Sequence, residues 1–464
     1  MISNLERLLN PRKIAIIGAS AKPGKIGNAL TRNLIRSSAE IFPVNPREES
    51  IEGLRCYQSI DELPHQIDLA IVSLPADIAA DEVKKVVEKG IPYVIVTTAG
   101  FSEIGEVGRR IEREIADYAK ARGTRILGPN TLGVYSPIRN IDALIIPSER
   151  SPRPRIGRIG MVSQSGSVQV SMQERAKDMG IGISYSVGLG NRSDISEIDI
   201  LEFFEMDPDT RCIALYLESF CDGKRFLELS RRISRKKPIV MIKAGTTEAG
   251  SRAASSHTGA LARGSDAIVD GALKQAGIIR AFDDEELMDY SNALSLMPPP
   301  KGNGVAYVGS AGGVGVMMSD YIESDRLSSG LMMIRLSDET QERLREILSE
   351  FSPTGNPVDL TASSTPEQYD AAVKAVLGDP SVDMLILSID MQPPMMDETV
   401  FGFVPGWIEI GKPIVGTSTG GGQVALGAVL RMQSIGMPSY PSLSRCAKAA
   451  RALYQRGVFL RKVM

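Results

Sequence analysis

The chain has 464 residues, 43% of them hydrophobic, and a net charge of -3 at pH 7. This length allows about three domains of ~100–200 residues, each with its own core. The slight negative charge argues against nucleic acid or an anionic membrane as the main partner. We find no run of ~18 apolar residues and no secretory leader, so we expect no transmembrane helix and a cytoplasmic protein.

Cysteine and histidine are sparse. The four cysteines form no C-x-x-C pair, and we interpret them as reduced thiols: Cys56, Cys212, Cys221 and Cys446. The chain has two histidines, His65 and His257, so we predict no multi-histidine metal site. His65 lies in a polar turn and is interpreted as a surface residue.

Three segments share one pattern, a short apolar run, a turn of small residues and a predicted helix. They are IAIIGASAKPGKIGNAL from Ile14, IGMVSQSGSVQVSM from Ile159 and VAYVGSAGGVGVMM from Val305. A strand that enters a helix through a Gly/Ser turn is typical of a parallel α/β domain. We therefore predict an α/β fold with three consecutive parallel-sheet domains, at residues 1–146, 156–297 and 303–464.

Further apolar runs are continuous, as is typical of strands covered on both faces. They lie at residues 67–75, 93–101, 212–220, 238–245, 382–390 and 413–421. Ligands of open parallel sheets bind beyond the carboxyl ends of the strands. The residues that directly follow each run are therefore the candidate site residues.

The first Gly-rich turn runs from Gly18 to Gly27 with the spacing G-x-S-x-x-x-G-x-x-G, which differs from the G-x-G-x-x-G of NAD sites. The second predicted strand ends at Asn45-Pro46, where an NAD site has an acid for the ribose. Lys22, Lys25 and Arg47 are nearby instead. Cations favour a ligand with additional phosphate, such as CoA or NADP, although a tight turn without ligand has the same local pattern.

Residues 8–135 resemble the CoA-binding, Rossmann-like domain of succinyl-CoA synthetases and NDP-forming acyl-CoA synthetases. The resemblance rests on NPRKIAIIGASAKPGKIGNAL, IFPVNPR, DLAIVSLPA, VIVTTAGF and GPNTLGV. It implies that CoA contacts four loops and a residue near the thiol: Gly18, Ala19, Ser20, Lys25 and Gly27; Val44, Asn45 and Pro46; Ser73, Leu74 and Pro75; Thr98, Ala99 and Gly100; and Asn130.

The second predicted domain contains a histidine among small residues, His257 in SSHTGALA. Imidazole accepts a phosphoryl group near neutral pH when its other nitrogen donates to a fixed acceptor. Glu218, at the end of CIALYLESF, is a candidate acceptor. The turn Ser163-Gln164-Ser165-Gly166-Ser167 opens a predicted helix, whose free N–H groups could bind phosphate.

MVSQSGSV, YLES and SSHTGALA resemble, in this order, segments of the ligase domain of the same synthetases. The resemblance implies that His257 carries the phosphoryl group and that Glu218 orients it. Residues 303–464 resemble the flavodoxin-like C-terminal domain of the NDP-forming branch, and the second domain is expected to be flavodoxin-like too. Gly309, Gly312, Gly313 and Gly315 form either an anion turn or a structural support there.

We see no P-loop or ATP-grasp pattern in the sequence. The resemblance therefore implies a separate ATP-grasp beta subunit that binds ADP or ATP and Mg²⁺, in an α₂β₂ assembly. The expected function is that of the alpha subunit of an ADP-forming acyl-CoA synthetase that uses CoA and phosphate. Two alternatives are a CoA-binding regulatory or acyl-transfer subunit without synthetase chemistry, and an NAD(P)-dependent oxidoreductase.

Overall fold

The computed structural model describes residues 5–250, 252, 266–324 and 330–463. The chain divides into two compact units, Met1–Asp284 and Glu285–Met464. The first unit contains two large sheets, and the second contains one. Within the described residues, no helix combines the length and the apolar character needed to cross a bilayer.

The first sheet has five parallel strands in the order β2-β1-β5-β6-β7. Its strands are β1 (Lys13–Ile17), β2 (Glu40–Val44), β5 (Leu69–Val72), β6 (Tyr93–Val96) and β7 (Arg125–Leu127). A separate antiparallel pair consists of β3 (Ser50–Ile51) and β4 (Leu54–Arg55). The central strands consist almost entirely of buried apolar residues, as expected for a sheet with helices on both faces.

The second sheet has seven strands in the order β14-β13-β12-β10-β11-β8-β9. Its strands are β8 (Gly133–Ser136), β9 (Ile141–Leu144), β10 (Ile156–Ser163), β11 (Ile183–Gly188), β12 (Cys212–Leu217), β13 (Ile239–Lys243) and β14 (Ile278–Arg280). Strands β10 to β14 are parallel, whereas β8 and β9 form an antiparallel hairpin at one edge.

The sheet of the second unit is entirely parallel, in the order β16-β15-β18-β19-β20, and β17 also pairs with β15. Its strands are β15 (Gly304–Gly309), β16 (Met332–Met333), β17 (Val358–Asp359), β18 (Met384–Ser388), β19 (Ile414–Thr417) and β20 (Ser439–Tyr440). The first strand of the unit, β15, therefore has neighbours on both sides, as in flavodoxin-like folds.

The α-helices of the first unit are α1 (Glu6–Leu9), α2 (Ile26–Leu34), α3 (Ala76–Glu88), α4 (Glu106–Lys120), α5 (Gly166–Asp178), α6 (Glu197–Met206), α7 (Gly223–Ile233) and α8 (Asp266–Gln275). Those that follow are α9 (Asp284–Leu296), α10 (Gly312–Glu323), α11 (Asp338–Ile347), α12 (Pro366–Gly378), α13 (Val404–Glu409), α14 (Gln423–Ser434) and α15 (Leu443–Val463). Short 3-10 turns lie at Ile60–Glu62, Ser102–Ile104 and Glu398–Phe403.

The predicted α/β architecture of parallel sheets is confirmed, and each of the three Gly/Ser turns connects a strand to a helix. The predicted runs are longer than the strands, because each run also includes the loop at the carboxyl end. One feature was not predicted. The hairpin β8–β9, within the predicted first domain, belongs to the second sheet, where β8 pairs with β11. The domain boundaries stay a prediction.

Replacing Leu385 in β18 by alanine tests the core of the second unit. The side chain is fully buried, so we expect the free energy of unfolding to fall by about 2–5 kcal/mol. Trp407, the one tryptophan of the chain, is buried in this unit and reports its unfolding in denaturant by fluorescence. Met395→Ala, at a site that is 53% exposed, is the control and should change stability by less than about 0.5 kcal/mol.

Candidate functional site

The turn after β1 needs glycine because three loops approach one another there. Gly18 has φ +90° and donates its N–H to the Val44 carbonyl at 3.1 Å. A Cβ on Gly18 would lie 2.5 Å from the Ser73 carbonyl oxygen, and one on Gly27 would collide with the Gly18 carbonyl oxygen. The loops after β1, β2 and β5 are thus held together at one end of the sheet.

Hydrogen bonds connect these loops and extend the cluster. The Asn45 side-chain amide donates to the Ala19 carbonyl at 2.7 Å. The Thr98 hydroxyl donates to the Leu74 carbonyl at 2.5 Å, and the Asn130 N–H donates to the Thr98 carbonyl at 2.9 Å. The four predicted loops and Asn130 therefore lie at the same edge. The remaining residues predicted for this ligand lie on these loops or at the start of α2: Ser20, Lys25, Pro46, Pro75, Ala99 and Gly100.

The electrostatics of this edge suit a polyanion. No side chain caps the N-terminus of α2, so no side chain satisfies its first N–H groups. Lys22, Lys25 and Arg47 are exposed, and among the described residues none of the three forms an ion pair. An arrangement of open N–H groups and unpaired cations can hold phosphates.

The second candidate site lies between two parallel strands of the second sheet. Ser163 at the end of β10 is in register with Tyr216 of β12. Helix α5 begins at Gly166, and the side chain of its N-cap residue Ser165 makes no capping bond. The Ser165 and Ser167 hydroxyls are 3.1 Å apart. Hydroxyls and free N–H groups thus occupy the start of α5, which suits a phosphoryl group.

Gln164 joins this turn to the turn that carries Glu218. Its side-chain oxygen accepts the N–H groups of Glu218 at 2.9 Å and of Ser219 at 3.2 Å. Its own N–H donates to the Tyr216 carbonyl at 3.0 Å. Because Gln164 is 5% exposed and Glu218 is 4% exposed, these bonds lie away from water, where losing one would leave a buried donor unsatisfied.

Lys243 is a member of the site that we did not predict. Its ammonium donates to the Glu218 carbonyl oxygen at 2.7 Å. Burial lowers the pKa of Lys243, and the negative charge of Glu218 opposes this effect. The only sequence signal was a lysine that ends the apolar strand PIVMIK. The predicted His257 lies outside the described residues.

The third Gly-rich turn has acidic neighbours. A Cβ on Gly312, at the start of α10, would lie 2.7 Å from a carboxylate oxygen of Asp359. Asp390 accepts hydrogen bonds from the hydroxyls of Ser310 at 3.1 Å and Thr419 at 2.6 Å. These carboxylates disfavour an anion at this turn.

The chain matches three domain families in order. They are a "CoA binding domain" over residues 12–137, a "Succinyl-CoA ligase like flavodoxin domain" over 156–294 and a "Ligase-CoA domain" over 305–446. Together, the parallel sheets, the phosphate-suited turns and these matches define a ligase of the CoA-dependent class.

Relatives specify the family. The alpha subunit of acetate–CoA ligase [ADP-forming] I from Pyrococcus furiosus is 37% identical, with 97% of each chain covered. Acetate–CoA ligase [ADP-forming] of Methanocaldococcus jannaschii is 37% identical over 78% of this chain and 50% of its own length. A solved structure of dinucleotide-forming acetyl-coenzyme A synthetase 1 from Ca. Korarchaeum cryptofilum, in complex with phosphate and ADP, is 32% identical with a TM-score of 0.90, covering 99% of both chains. This chain belongs to the family of ADP-forming acetate–CoA ligase alpha subunits.

Replacing Gly27 by alanine tests the first turn. The added Cβ collides with the Gly18 carbonyl oxygen, so the turn must move, and we expect CoA affinity measured by calorimetry to fall about tenfold or more. Gly271→Ala is the control, because a Cβ there meets open space on α8. Equal CoA affinity in both variants would contradict the assignment of this turn.

Proposed function

We propose that this chain is the alpha subunit of an ADP-forming acyl-CoA synthetase, with acetyl-CoA as the first substrate to assay. The reaction is acyl-CoA + ADP + phosphate ⇌ carboxylate + ATP + CoA. The observation that carries the proposal is the pairing of the Ser163–Ser167 turn with the Glu218 turn, joined by Gln164 at the edge of one parallel sheet. Family membership and the names of the relatives support it.

The proposed chemistry has three steps. An oxygen of inorganic phosphate attacks the thioester carbonyl, the C–S bond breaks, and CoA leaves as the thiolate. Nε2 of His257 then attacks the phosphorus of the acyl phosphate, the P–O bond to the acyl group breaks, and the carboxylate leaves. Finally an ADP oxygen attacks the phosphorus, and the P–N bond breaks to form ATP. Positioning and charge stabilisation dominate such transfers.

Each group of this chain has a proposed role. The hydroxyls and N–H groups of Ser163–Ser167 bind the phosphoryl oxygens, and Glu218 accepts the Nδ1–H of His257 and so fixes its tautomer. The loops that contain Gly18, Asn45 and Ser73 bind CoA, with Lys25 beside its phosphates. Thr98–Gly100 and Asn130 lie toward the thiol end.

We propose that a partner completes the enzyme. This chain covers the Pyrococcus alpha subunit almost entirely but only half of the length of the Methanocaldococcus enzyme. The other half would then correspond to a separate ATP-grasp beta subunit that binds ADP or ATP and Mg²⁺, in an α₂β₂ assembly.

The alternatives are less well supported. A regulatory or acyl-transfer subunit without synthetase chemistry is not favoured by relatives named as ligases. An NAD(P)-dependent oxidoreductase does not explain the second site. At the end of β2, where an NAD site has an acid for the ribose, this chain has Asn45. The Asn45 side-chain amide donates to the Ala19 carbonyl.

Labelling with radioactive phosphate tests the phosphohistidine route. Supplied with acetyl-CoA, labelled phosphate and the partner subunit but no ADP, the wild-type chain should acquire acid-labile, base-stable label. His257→Ala should acquire none, since the acceptor nitrogen is missing. His65→Ala is the matched control and should label normally. An unlabelled wild-type chain across several acyl-CoAs would overturn the ligase proposal in favour of a regulatory subunit.

Replacing Glu218 by glutamine tests the orienting role. The amide keeps the shape but loses the charge that favours a phosphorylated, more charged imidazole, so we expect the labelling rate to fall about 10–100-fold. The exposed Glu228→Gln on α7 should label at the wild-type rate. Single-turnover quench measurements compare the two, and a wild-type rate in Glu218→Gln would exclude the role.

A further inference from the structure

The loop after β11 runs along the CoA-binding half of the first unit. The N–H groups of Asn191, Ser193 and Ile195 donate to the carbonyls of Pro129, Gly128 and Ile126 at 2.9, 3.0 and 3.0 Å. Gly190 has φ +59°, and a Cβ there would collide with the Pro129 carbonyl oxygen. The loop is therefore held to the segment that contains Asn130 by backbone bonds.

The Arg192 side chain extends from this loop to the turn that carries Glu218. One guanidinium nitrogen donates to Glu197 at 2.9 Å and to the Ser219 carbonyl at 2.9 Å, and the other donates to the Ser219 hydroxyl at 2.6 Å. The Arg192 side chain is 8% exposed and that of Glu197 is fully buried. Glu197 also accepts the Cys221 N–H at 2.8 Å. Arg192 and Glu197 together therefore hold Ser219 and Cys221, which follow Glu218 in this turn.

The neighbouring Asn191 makes the opposite connection. Its amide donates to Glu103 at 2.7 Å and to Glu112 at 2.8 Å, and its oxygen accepts from Asn130 at 3.3 Å. Glu103 in turn accepts the N–H groups of Gly100 and Phe101. One dipeptide thus contacts the loop proposed for the thiol end of CoA and the turn of the ligase site.

Arg192 has φ +61°, which is uncommon for a residue with a side chain. Backbone conformations of this kind cost about 1–3 kcal/mol and persist where surrounding contacts over-determine them. Here the backbone is fixed by Pro129 and Gly128 on one side, and the guanidinium by Glu197 and Ser219 on the other. In this conformation the Asn191 side chain reaches the loop proposed for the thiol end of CoA, and the Arg192 side chain reaches the turn that carries Glu218.

We infer that Arg192 is a positioning residue of this enzyme, which fixes the Glu218 turn and, with Asn191, sets the distance between the CoA subsite and the ligase site. The inference rests on the proposed function. A fixed distance matters because the acyl phosphate forms at one subsite and donates its phosphoryl group at the other. A displacement of ~1 Å can reduce the rate about 10²-fold.

The test compares Arg192→Gln with Arg192→Lys in the full chain with its partner subunit. We expect the single-turnover labelling rate of Arg192→Gln to fall about 10²-fold, while the CoA dissociation constant from calorimetry changes less than about twofold. Arg192→Lys should recover part of the rate, since an ammonium restores the charge but not the fork of donors. Arg225→Gln, which removes an exposed ion pair with Glu202, should match the wild type.

Ser219→Ala keeps the test decisive if Arg192→Gln unfolds. It removes one acceptor of Arg192 and a weaker contact with Gln164, and it keeps the guanidinium and its bond to the carbonyl. We therefore expect a rate loss of about tenfold in a chain that still folds and binds CoA with less than about a twofold change in affinity. A wild-type rate in either variant, or a CoA affinity that falls in parallel with the rate, would overturn the inference. A wild-type chain that never labels would instead refute the proposed function, so the two failures are distinguishable.

Discussion

The parallel pairing of β10 with β12 is the constraint on which the ligase site depends. Register places Ser163 beside Tyr216, so the turns that leave the two strands must emerge side by side. Each turn exposes backbone N–H groups that no strand can satisfy. The Gln164 side chain accepts two of them, from Glu218 and Ser219. Parallel pairing brings the two turns together, and the buried Gln164 side chain then fixes the backbone position of Glu218.

Much of this arrangement could be predicted from local patterns. Continuous apolar runs such as those that contain β5 and β18 predict buried strands, and the small residues after β1 and β10 predict the turns. The rule that ligands bind beyond the carboxyl ends of parallel strands then selects Ser163–Ser167 and Glu218 as neighbours, although 54 residues separate Gln164 from Glu218.

Long-range partners could not be predicted in the same way. Residues 133–144 have a strand-like pattern, but nothing local indicates that β8 pairs with β11 and not with β7. In the sequence, Arg192 is one charged residue shortly after an apolar run. The role that we infer for it rests on contacts to Ser219, 27 residues away, and on a backbone with φ +61°. Lys243 was missed for the same reason, since its partner is the Glu218 carbonyl.

The three Gly/Ser turns show that charge, more than backbone shape, decides what such a turn can bind. All three connect a buried strand to a helix without a side-chain cap. The first has exposed cations nearby, and the second has the hydroxyls of Ser165 and Ser167 at its start. The third has Asp359 and Asp390, and Asp390 is occupied in joining the loops after β15 and β19. A phosphate near Gly312 would meet the Asp359 carboxylate at short range, and like charges repel. The third turn therefore needs compensating cations before it can bind an anion, whereas the first already has them.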